Sequence, residues 1–244
     1  MSHGGIARPS GELGLRVFRA NDAEVRGRFD QIAALSSWPA KELSLAEIAY
    51  FGLPRKELDE RVNAWRSANF GNLFRGARKA LLARSLGLSN LYGSLYLTHI
   101  KADGEVLELG LASMRVVTTA GVNFIVDAFQ NSTELENLKY HGIGTNNTAE
   151  SSADTALGAE STTALNPDST RATGSTTEGA SANIYRTVGT LTADASIAAV
   201  EHGVFSAAST GTGTLLDRSV FSTVNLASGD SLQATYDLTV SAGG

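Results

Sequence analysis

The chain has 244 residues, a net charge of −5 and no cysteine, which excludes disulfides, thiolate metal sites and cysteine nucleophiles. No apolar run approaches the roughly 18 residues of a membrane-spanning helix. The start, MSHGGIARPSGELG, lacks the basic and apolar regions of a signal peptide, so a soluble protein folded in a cytoplasm is expected.

The charge is unevenly spread. Up to Leu95 there are 14 Lys and Arg against 9 Asp and Glu, and from Tyr96 on there are 6 against 16. A +5 front before a −10 back suggests two modules with different partners, or two solvated surfaces of unlike sign.

Residues 1–40 read as an arm. Within it, LGLRVFRA suits a strand or a segment that orders on a partner, and DAEVRGRFDQIAAL suits a helix interrupted by Gly27. Residues 41–95 read as a small helical region. Ser44 and Glu47 stand at capping-box spacing, and Gly52 and Pro54 end one helix and start another. Leu58, Val62 and Trp65 form one apolar stripe in 54–69. Leu73, Phe74, Ala77, Leu81 and Leu82 form a second in 72–86, with Arg75, Arg78, Lys79 and Arg84 mostly off it and Gly87 as a C-cap. Two helices joined at FGLP invite a helix-turn-helix reading. However, the position four before Gly52 is Ile48, too large for a close crossing, and the second helix brings Glu57, Asp59 and Glu60 where phosphate contacts need donors. A packing module is favoured over DNA binding.

Residues 96–244 read as strands. YLTHIK, the turn signal ADGE and VLELG make a hairpin of type I′ character, followed by MRVVT as a strand. TTAGVNFIVDAFQN is an inserted helix, with Val122, Ile125, Val126 and Phe129 at helical spacing and Thr118 or Thr119 as cap. ANIYRTVGTL, SIAAVEHGVFSA and LLDRSVFSTVNL are further strands. In SLQATYDLTV, Leu232, Ala234, Tyr236, Leu238 and Val240 alternate with polar residues, the pattern of a half-buried antiparallel strand. The fold class expected is α+β: a small helical region, then an antiparallel, jelly-roll-like β-sandwich with one inserted helix.

KYHGIGTNNTAESSADTALGAE, Lys139 to Glu160, raises the question of a phosphate-cradling loop. Such a loop leads into a helix whose free N–H groups face the anion. Here no helical stripe follows, no lysine stands near the glycines, and Glu150, Asp154 and Glu160 would repel phosphate. His3, His99, His141 and His202 show no zinc-like spacing. Glu201 and His202 point to opposite faces of a strand. A meeting of His141 with His202 is possible but less favoured than two ordinary strand residues. Asp154, Glu160, Asp168 and Glu178 could pair as glycosidase carboxyls but fit solvated loops better. No catalytic, cofactor-binding or metal residues are expected, and an enzyme is not.

Taken together, RVVTTAGVNFIVDAFQNSTELENLKYHGIGTNNTAESSADTAL, TRATG, IYRTVGT, EHGVF and LLDRSVFSTVNLASGDSLQATYDLTV resemble a group of tailed-bacteriophage structural proteins over Arg115–Val240. Asn146 departs from that pattern, standing where a glycine or other small residue is common. The resemblance implies a virion protein with a jelly-roll-like domain, first a head decoration (cement) protein on the capsid surface, second a tail or fibre component. Its implied partners are the major capsid protein or other virion proteins, with copies of itself as a dimer or trimer, and no membrane or small-molecule substrate. From charge sign, Arg75, Arg78, Lys79 and Arg84 are the capsid-docking candidates. A DNA-binding or carbohydrate-active protein is the remaining alternative.

Overall fold

The computed structural model describes residues 59–85 and 90–241. The arm, the capping box and the FGLP junction lie outside the described residues.

Among the described residues, the first element is one continuous helix, α1 (Glu60–Ser85), not two helices meeting near residue 70. Gly71 lies inside it with open space around its Cα, so its cost is only the propensity loss of about 1 kcal/mol. Tertiary bonds just before it, and one from Arg115 to Asn72 O just after it (2.9 Å), outweigh that loss. Arg66 Nε donates to Leu109 O at 2.8 Å, Asn69 Nδ2 to Ala112 O at 2.6 Å, and Trp65 Nε1 to Ser222 O at 2.8 Å.

Ten strands follow: β1 (Asn90–Ile100), β2 (Val106–Val116), β3 (Tyr140–Gly144), β4 (Leu165–Asn166), β5 (Ala172–Thr173), β6 (Ser175–Glu178), β7 (Ile184–Ala193), β8 (Ile197–Phe205), β9 (Leu215–Leu226) and β10 (Ser231–Ser241). β1 begins inside the stretch read as helical, and Met114–Val116 of MRVVT close β2 rather than forming a separate strand. One sheet runs β2-β1-β10-β7-β4 with β6 also on β7; the other runs β5-β3-β8-β9. Every pairing is antiparallel. The chain is therefore an α+β antiparallel β-sandwich, with helix α2 (Thr119–Phe129) inserted between β2 and β3.

The alternation in β10 holds through Leu238, but Val240 is exposed, and Asp237 and Thr239 on the other face are buried. Leu232, Ala234 and Tyr236 are fully buried and sit opposite His99, Leu97 and Leu95 of β1. The β1–β2 turn differs from its I′ signal. Lys101 N donates to Glu105 O, Gly104 N donates to Lys101 O, and Gly104 alone has positive φ (91°). That is a three-residue loop closed by a left-handed glycine, which needs one positive φ where type I′ needs two.

Both sheets have an open edge, β2 in one and β9 in the other, and α1 lies across the two. Asn69, fully buried, donates to Ala112 O of β2 and accepts from Ser222 N of β9 at 2.8 Å. A single amide thus satisfies one strand edge in each sheet, and the helix occupies the place where another strand would add. Gly76 permits the close approach. A Cβ there would clash with the Met114 carbonyl and the Arg115 guanidinium.

Candidate functional site

Three features carry the polar and exposed chemistry of the sandwich: a strap over one face, a polar seam between the sheets, and an apolar helix at one end.

The strap is the stretch after β3. It does cradle an anion, but the anion is the protein's own Glu201 on β8. This carboxylate is fully buried. It accepts from the backbone N–H groups of Asn146 (3.2 Å), Gly158 (2.9 Å) and Ala159 (2.8 Å), and from Arg218 Nε of β9 (2.7 Å). Arg218 also donates to Asp154 of the strap at 3.0 Å. The glycine of β3 nearest this site, Gly144, is required by contact: a Cβ there would strike Ala159 O and Glu201 Oε1. Further along, Arg171 donates to both oxygens of Glu160 (2.6 and 3.0 Å) and to the carbonyls of Ala207 and Thr212, while its guanidinium lies over the Phe205 ring. Asp154 and Glu160, expected as solvated loop acids, are thus ion-paired clamps. Asp168 and Glu178 are exposed.

The seam lies between the sheets. His141 of β3 and His202 of β8 meet, with Nδ1 of the first 2.9 Å from Nε2 of the second, and His141 Nε2 lies 3.1 Å from Thr187 Oγ1 of β7. The less favoured expectation for this pair is therefore the correct one. The two lie diagonally, two residues apart in the β3–β8 register, a relationship invisible along a chain where they are 61 positions apart. Burial holds His141 down to about 3; burial, then the neighbouring His141, holds His202 well below the usual histidine range. Both rings are neutral at pH 7.

Next to them on β9, Ser219 Oγ donates to Asp217 Oδ1 at 2.9 Å, and burial pushes the Asp217 carboxyl up to about 7. A serine, a histidine and a carboxylate are thus neighbours. Yet the serine bonds the carboxylate rather than a histidine, and all three are sealed, between 0 and 2% exposed. This is not the nucleophile–base geometry of acyl transfer. Tyr236 Oη, over Gly93, is likewise buried and finds no protein partner. Among the described residues, no group of three or more His, Asp or Glu side chains is placed to hold a metal ion, and no helix is long and apolar enough to cross a membrane.

The third feature is α2. Thr118 caps it, its Oγ1 accepting from Gly121 N at 2.9 Å. Phe124 and Ile125 pack on the buried cluster of Val117, Leu138, Val204, Leu216, Tyr236 and Leu238, so α2 plugs one end of the sandwich. Three of the four apolar residues read as its core stripe point the other way. Val122, Val126 and Phe129 are 36, 47 and 83% exposed. The helix is apolar on two sides, so periodicity located a stripe but not the one that packs inward.

The four docking candidates all fall in α1. Arg75 is exposed and donates to Asn72 Oδ1. The side chains of Arg78, Lys79 and Arg84 lie outside the described residues. Comparison with known proteins found no matching family model, no similar curated protein and no similar solved structure.

Proposed function

We propose that this chain is a structural protein of a tailed-phage virion, a decoration protein that stabilises the head by protein–protein contacts. Its resemblance over Arg115–Val240 suggests the class. The observation that carries the reading is Phe129, 83% exposed on a helix that also presents Val122 and Val126. Large apolar residues grouped on a surface favour protein contacts. The closure of the sandwich supports the same reading. α1 covers two strand edges, the strap is pinned by Glu201 and Arg171, and such a shell resists local opening.

Docking on an acidic shell falls to the basic last turns of α1: Arg75, Arg78, Lys79 and Arg84. Many copies multiply a modest contact by avidity. The test is co-sedimentation with heads that lack the protein. Reversal of these four charges should abolish binding while circular dichroism stays unchanged. Unchanged binding would refute the docking assignment. A tail or fibre location is the second reading, and binding to isolated tails instead of heads would favour it.

A further inference from the structure

We propose that the interior of the sandwich binds one ordered water molecule, shared by Asp217 of β9, Tyr236 of β10 and Ser113 of β2. This goes beyond the virion reading and does not rest on it.

The site begins as a cluster of buried polar atoms without protein partners. Ser113 Oγ, Asp217 Oδ2 and Tyr236 Oη are such atoms, on residues at most 1% exposed. A group left in that state carries the full cost of its lost hydration, and native interiors meet it with protein or with water. His202 Nδ1 is also unpartnered but belongs to the next row, where His202 pairs in register with Ser219.

Register brings the three groups together. Tyr236, Leu95 and Ser113 stand in one row across β10, β1 and β2. Tyr236 leans from this row onto Gly93, where a Cβ would lie 2.4 Å from Oη. Arg115 is the register partner of Gly93, so the hydroxyl is carried toward the part of β2 that holds Ser113 and Arg115. The facing sheet supplies Asp217. Thr118 N donates to Leu216 O at 2.9 Å, which draws the end of β2 against the start of β9. Burial first, and then the Asp217 charge, pushes the Tyr236 hydroxyl well above its usual value, as two neighbouring groups require. Room comes from small residues. Gly93 and Ser113 occupy adjacent inward positions where larger side chains would fill the layer.

The chemistry fits water. Ser219 takes Asp217 Oδ1 at 2.9 Å, which leaves Oδ2 open. Tyr236 has one proton to donate, and Ser113 donates or accepts. A water that accepts from Tyr236, donates to Asp217 and takes Ser113 as its third partner makes the usual three bonds of a buried water. An ion fits less well. Arg115 and Glu150, paired with each other, border the site, so an ion of either sign would meet a like charge.

Two measurements on the full chain test the site. A high-resolution crystal structure should show one ordered water within roughly 2.6–3.2 Å of Asp217 Oδ2, Tyr236 Oη and Ser113 Oγ. In urea unfolding, Tyr236→Phe and Ser113→Ala should each lower the folding equilibrium constant at least ~fivefold. The double variant should lose at least ~twofold less than the product of the single losses, because the first change already releases the water. Removal of a hydroxyl that had no partner would do the reverse, since it relieves a buried polar group. The proposal is overturned by a direct bond between Tyr236 and Asp217, by an ion in place of the water or by an interior without ordered density there. A neutral or stabilising Tyr236→Phe, or independent losses in the double variant, overturns it as well.

Discussion

Arg218 and Glu201 stand diagonally on neighbouring strands, Nε of the first 2.7 Å from Oε2 of the second, and the pair fastens a loop rather than a ligand. The carboxylate has no exposure, and its remaining lone pairs are met by three backbone amides of the strap. Full satisfaction makes a buried charge tolerable, and loss of one member makes it costly. Glu201→Ala should therefore lower the unfolding free energy by about 3–5 kcal/mol. In the same variant, amide exchange at Asn146, Gly158 and Ala159 should accelerate more than in β10. Urea titration and hydrogen exchange measure both. A loss below ~1 kcal/mol, the size of an exposed pair, would show that the strap is held by other contacts.

The two glycines inside α1 should respond oppositely to alanine. Gly71 faces open space, so Gly71→Ala should raise stability by about 0.5–1 kcal/mol through helix propensity. Gly76 lies against β2, and Gly76→Ala should cost more than ~2 kcal/mol by forcing the helix off that strand. Thermal melting of the two variants reads the sign directly.

Asn69→Leu keeps the bulk of the side chain but leaves Ala112 O and Ser222 N without their partner. Two buried backbone groups lost in this way should cost roughly 2–5 kcal/mol. The exposed edges should also promote aggregation on heating, measured by light scattering.

The buried histidines set the pH response. Their folded pKa values lie below the unfolded value of 6.5, His141 at about 3. The unfolded chain therefore takes up protons first as pH falls. Their contribution is present above pH 6.5 and is lost as pH falls below it, for His141 down to about 3. Asp217 acts in the other direction. Its folded value of about 7 lies above the ordinary 3.8, so its contribution is full below 3.8 and lost as pH rises through 7. The histidines outnumber it, so stability should fall from pH 7 to 4. Asp217→Asn should steepen that fall and raise stability at pH 8. Urea midpoints at pH 8, 6 and 4.5 for both proteins test this, and equal slopes would contradict it.

Much of the fold was legible where one rule acts locally. The alternation of β10 as far as Leu238, the Thr118 cap and the hairpin after Ile100 rest on neighbours in the chain. The rest depends on neighbours in space. The stripes in 54–69 and 72–86 read as two helices because the bonds that hold α1 as one come from β2 and β9, some 40 and 150 positions away. The role of Glu201 went unread because three of its partners are backbone amides, which have no spelling. The glycines of HGIG suggested an anion loop for a sound reason, since the chain does pass close to a carboxylate there. Only the ownership of that carboxylate was hidden. For α2 the stripe was visible but its direction was not, because of its four members only Ile125 packs inward, beside Phe124, which lies outside it.

The most direct measurement is a density map of the assembled particle at side-chain resolution. The sandwich is expected on the head in stoichiometric, symmetry-related copies, each with the last turns of α1 against the shell and no bound substrate in the interior. A particle that lacks the chain, or a purified chain that turns over a nucleotide or glycan, would contradict a structural role.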